Sequence, residues 1–128
     1  MPIKITLLGR IPSKKNSQAI FVVGRKRIIS PNQVYRMWEE SKVYSIMNQL
    51  QLAGVKTPIT GIRRVEIVLW LPDKRRTDAI SKAEGILDAL VKAKAITDDN
   101  WKILPEVRQR VAGVDRKNPR AEISIFLT

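Results

Sequence analysis

Arg64-Val65-Glu66-Ile67-Val68-Leu69-Trp70-Leu71 is the stretch on which the fold turns, a run of β-branched, aliphatic and aromatic residues. Pro72 stops it and the charged segment Asp73-Lys74-Arg75-Arg76 follows, so it reads as a central strand with a polar exit. Downstream, a helix starting at Asp78 or Ser81 and ending at Lys94 places Ala83, Ile86, Leu87, Leu90 and Val91 on one face. Two further strands, 107–114 and 121–127, flank the turn Asp115-Arg116-Lys117-Asn118-Pro119. Upstream, residues 3–8 alternate as a first strand and lead into the polar loop Pro12-Ser13-Lys14-Lys15-Asn16-Ser17. Residues 19–23 and 27–29 flank Gly24-Arg25-Lys26 as a basic hairpin. Ser30-Pro31-Asn32 then opens a helix that carries Val34, Met37, Trp38, Val43, Tyr44 and Met47 at helical spacing and ends near Gly54. The predicted order is βββαβαββ: an α+β fold, two helices packed on one mixed sheet. At 128 residues the chain forms a single domain, 1–128, so one core must carry both fold and site.

Composition narrows the chemistry. Lys and Arg number 24 against 12 Asp and Glu, a formal charge of +12, and the natural partner of such a surface is a polyanion. No apolar run approaches the roughly 20 residues of a spanning helix, and the long helical pattern lacks a basic amphipathic face with an aromatic edge. Nucleic acid is therefore favoured over membrane. The first ten residues alternate like a strand and show no signal-peptide pattern, which predicts a cytoplasmic protein. Cys and His are both absent. That removes disulfides, thiolate and imidazole zinc sites, and any imidazole general base.

Six of the 12 acidic residues, Asp73, Asp78, Glu84, Asp88, Asp98 and Asp99, fall in one short stretch of this positive chain. Carboxylates repel a phosphate backbone unless a divalent cation reverses the sign. Mg²⁺ takes oxygen ligands, commonly one or two carboxylates with phosphate oxygens and water, and it activates water for attack on phosphorus. Glu84 and Asp88 lie four apart on a helix and project together. Asp98-Asp99-Asn100 follows in a turn with room to fold back toward Asp78. Each acid also has an ordinary explanation. Ser81 and Glu84 fit a capping box, Asp88 pairs with Lys92 at i, i+4, Asp78 serves as an N-cap, and Asp98-Asp99-Asn100 makes a polar turn. Trp38, Trp70 and Trp101 sit beside apolar neighbours and are expected in the core.

Pro72-Asp73-Lys74-Arg75-Arg76-Thr77-Asp78, Leu87-Asp88-Ala89-Leu90 and Asp98-Asp99-Asn100 together resemble the RusA family of Holliday junction resolvases. Gly9-Arg10-Ile11-Pro12-Ser13-Lys14-Lys15-Asn16-Ser17 resembles that family's opening loop, so the similarity covers most of the chain. The resemblance implies a homodimeric, Mg²⁺-dependent endonuclease, with Mn²⁺ as a substitute, that nicks two strands symmetrically across a four-way junction in recombination and repair. It is a family often carried by phages or prophages. A junction with two-fold symmetry is matched by a C2 dimer.

By position, Asp78 matches the first acid of the family's Asp-x-Asp-Asn motif, Asp99 its essential later acid, and Asp88 the acid within the helix. The second motif Asp falls on Ile80, the Asn on Ser81 and the active-site Lys on Glu84, so this chain is divergent. Glu84, one turn beyond Ile80, is expected to replace the lost acid, and Lys82 the lost cation. The expected metal ligands are thus Asp78, Glu84, Asp88 and Asp99, with Asp98 in support. The expected DNA contacts are Lys14, Lys15, Asn16, Arg25, Lys26, Lys74, Arg75 and Arg76. Alternatively, the same basic surface binds branched DNA without chemistry, or belongs to an RNA-associated protein, which leaves the clustered acids without a reason.

Overall fold

The computed structural model describes residues 2–13 and 31–128. The elements run β1 (Ile3–Leu8), α1 (Pro31–Leu52), β2 (Ile62–Leu71), α2 (Ala79–Lys92), β3 (Val107–Val114) and β4 (Arg120–Leu127). The expected hairpin strands at 19–23 and 27–29 lie outside the described residues, as do Lys14, Lys15, Asn16, Arg25 and Lys26. The rest is the α+β arrangement read from the sequence, with two helices and a mixed four-stranded sheet.

The helix ends have local causes. Pro31 occupies the first turn of α1, where its missing N–H is not needed. Gly54, at φ +69°, ends that helix, with its own N–H donating to Gln51 and the Val55 N–H to Leu50. The same motif closes α2 two residues earlier than expected. Lys94 takes the left-handed conformation at φ 59°, and the Lys94 and Ala95 N–H groups donate to the Val91 and Leu90 carbonyls at 3.0 Å each. Ordinarily a glycine fills that position, so nothing in the residue type marks the stop.

The strands lie in the order β1-β4-β2-β3; β3 runs parallel to β2 and the other pairs are antiparallel. Alternation sends Ile5, Leu7, Val65, Ile67, Leu69, Ala121, Ile123 and Ile125 to one face, all buried. The helices cover that face through Ile46, Leu50, Ile86 and Leu90 in one continuous core. Burying each large aliphatic side chain contributes about 1.5–3 kcal/mol. On the opposite face Arg64 lies over the Phe126 ring at 4.3 Å and Arg120 over Trp70 at 4.9 Å, while the Trp70 indole N–H donates to Glu122 at 2.9 Å.

Two of the three tryptophans therefore depart from expectation. Trp38 packs against the core, 5.5 Å from the Tyr35 ring. Trp70 is half-buried on the open sheet face, because its position in β2 has the opposite parity to Leu69. Trp101 is 74 % exposed, in a turn where Asn100 accepts from the Lys102, Ile103 and Leu104 N–H groups. The outer edge of β1 is sealed by α1: the Gln49 side chain accepts from the Thr6 N–H at 2.9 Å and donates to the Thr6 carbonyl at 2.7 Å.

Candidate nucleic-acid interface

β2, α2 and β3 form a crossover between parallel strands, so the carboxyl end of β2 and the amino end of α2 meet at one end of the molecule. Open α/β units commonly bind ligands there. The connection is short and ordered by its own polar groups. Asp73 accepts from the Arg75 backbone N–H at 3.0 Å and from its guanidinium at 3.0 and 2.8 Å. Those Arg75 bonds hold the Asp73 carboxyl down to about 2. Asp78 then caps α2 by accepting from the Ser81 N–H at 3.0 Å.

The segment after β1 packs on this first helical turn. The Ser13 hydroxyl donates to the Ser81 hydroxyl at 2.9 Å, and the Lys82 ammonium donates to the Ile11 carbonyl. Ser81 and Lys82 are both buried as a result. Between the segments lies a cleft of about 40 Å³, lined by Arg10, Leu71, Pro72, Asp73, Arg75, Arg76, Thr77 and Lys82. Burial, reinforced by Arg10 and partly offset by Asp73, lowers the Lys82 pKa.

The six clustered acids fall into three places. Asp73 and Asp78 stand at the start of α2, Asp73 lining the cleft. Glu84 and Asp88 lie further along α2, where their charges, with that of Glu39, add to burial in raising the pKa of the Tyr35 phenol. Asp98 and Asp99 lie past the far end of α2, whose 14 residues span about 21 Å. There Asp98 accepts from the Asp99 N–H at 2.7 Å and from the Asn100 amide at 2.9 Å, which lowers its pKa. Among the described residues no three acids approach closely enough to hold one metal ion.

The ordinary alternatives resolve individually. Asp78, not Ser81, is the cap of α2, so the Ser81–Glu84 capping box does not form, and Glu84 is exposed within the helix. Lys92 reaches across to Glu39 on α1. Ile80, where the resemblance calls for an acid, is 64 % exposed. Lys74, Arg75 and Arg76 are exposed at the cleft end. Arg10 and the burial of Lys82 escaped the sequence reading. Their signal lay in Ile11, an apolar residue just before the polar loop that begins at Pro12, whose side chain is 4 % exposed.

Comparison with known proteins leaves this geometry to stand alone, since no family model and no curated protein sequence matches the chain. No helix among the described residues is long and apolar enough to cross a membrane.

Proposed function

We propose that the chain is a branched-DNA-binding protein that acts, as a homodimer, as a Mg²⁺-dependent endonuclease on four-way junctions. The observation that carries the binding half is the cationic cleft at the amino end of α2, with exposed Lys74, Arg75 and Arg76 beside it. The catalytic half is supported by the resemblance to the RusA family and by Asp78 at the same helix end. Mg²⁺ commonly needs only one or two protein carboxylates when phosphate oxygens complete its shell. Asp78 would hold such an ion, with Glu84 as the further candidate; when bound, it supplies an activated water and stabilises the leaving oxygen. The basic side chains hold and orient the backbone, and recognition through phosphates follows the shape of the junction.

A second function is favoured by one observation. The separation of Asp78 from Asp98 and Asp99 by the length of α2, together with Ile80, suits a protein that binds junctions without cutting them. The deciding experiment incubates the protein with a synthetic four-way junction and a matching duplex, in Mg²⁺, Mn²⁺ or EDTA. Symmetric, metal-dependent nicking confined to the junction is expected. Salt-sensitive binding with no cleavage in either metal selects the binding function, and equal cutting of both substrates, or cutting in EDTA, refutes the resolvase. Asp78→Asn gives a clean control, because Asn caps a helix about as well as Asp while lacking the charge. Cleavage falls at least about a hundredfold in that variant, with junction affinity and melting temperature retained.

A further inference from the structure

The cleft at the start of α2 holds more positive charge than the fold requires. Arg10, Arg75, Arg76 and Lys82 line it against a single carboxylate, Asp73, which Arg75 already pairs with, so the charges of Arg10, Arg76 and Lys82 are left over. Lys82 is 4 % exposed, and its ammonium has the Ile11 carbonyl as its one acceptor among the described residues. Two of its three N–H donors are left unanswered there. A buried ammonium is costly unless it is paired, and Arg10 adds like charge beside it, consistent with its lowered pKa. Such an arrangement is completed by an anion.

Size and lining narrow the anion. About 40 Å³ is far below the usual range for drug-sized ligands, and Leu71 and Pro72 line one wall. Guanidinium forks and an ammonium converging from several segments match a small group with several charged oxygens better than a planar carboxylate, which a single arginine satisfies. We propose that the cleft is a binding site for one phosphate group, gripped by Lys82 from within and by Arg10 and Arg76 around it. Capture of a phosphate holds whether or not the protein cuts DNA; only its origin in nucleic acid rests on the function proposed above.

The test titrates inorganic phosphate into the full chain at constant ionic strength and follows the melting temperature, with chloride as the reference. Phosphate raises the melting temperature above the chloride value, and Arg10→Gln and Lys82→Met each weaken apparent phosphate affinity about tenfold or more. Arg10 is exposed, so its variant carries the test if Lys82→Met fails to fold. No effect of phosphate beyond chloride, or an undiminished effect in Arg10→Gln, overturns the site. A single strand with a 5′-phosphate is then compared with its 5′-hydroxyl twin. A preference for the former that Arg10→Gln erases assigns a terminal phosphate; equal binding that Arg10→Gln weakens in both assigns a backbone phosphate. Phosphate stabilisation without junction binding keeps the site and removes the DNA function.

Discussion

Ile80 concentrates the chemistry of this chain in one side chain. It stands 64 % exposed on the first turn of α2, two residues beyond the Asp78 cap, so an acid there meets water and the positive end of the helix dipole. Ile80→Asp is expected to leave stability unchanged or raise it by about 0.3–1 kcal/mol, and to increase Mg²⁺-dependent junction cleavage. Parallel melting and cleavage assays check both, and a melting temperature that falls would refute the placement. Asp73 makes a separate prediction in acid. Its carboxyl is held at about 2 instead of 3.8, so the folded state binds its proton less readily than the unfolded chain. The resulting stabilisation is present above 3.8 and is lost as pH falls toward about 2. Melting curves of the protein and of Asp73→Asn should therefore converge as pH drops through that window. Sequence reading put Asp73 and Asp78 in the same charged stretch and offered Asp78 as an N-cap, which it is, but it did not foresee the Arg75 bonds to Asp73. Those depend on a backbone turn that residue types alone leave open.

At the scale of elements, β-branched runs and apolar helical faces made the strands and helices legible almost to their ends, since burial on one face imposes a period. What escaped were features that depend on a partner element. Gly85 is one, because a Cβ built there lies 2.7 Å from the Tyr35 hydroxyl, which is how α1 and α2 approach so closely. Gly85→Ala should cost about 1–3 kcal/mol by displacing a buried ring. The Tyr35 hydroxyl is buried with no hydrogen-bond partner among the described residues, so Tyr35→Phe should be neutral or stabilising and should recover part of the Gly85→Ala loss. Denaturant unfolding of the two single variants and the double variant measures this. The Gln49 seal on β1 is another such feature. Gln49→Ala leaves a backbone donor and acceptor without their side-chain partner and should cost about 1–2 kcal/mol. Faster hydrogen exchange at Thr6 would accompany that loss.

For the whole molecule, a charge of +12 sets the conditions under which any nucleic acid is held. If about four phosphates are contacted, junction affinity drops about a hundredfold between roughly 50 and 200 mM salt. Fluorescence anisotropy across that range checks it, and a flat profile would deny the basic surface its role. The strand order also bears on how the chain is made. β4 lies between β1 and β2, yet it follows both in sequence, so these two strands reach their final neighbours only after β4 is synthesised. A ribosome moving from the amino end therefore releases β1, both helices and the rest of the sheet before the strand that joins them. Until then the edge of β2 that β4 later covers stands without its partner strand.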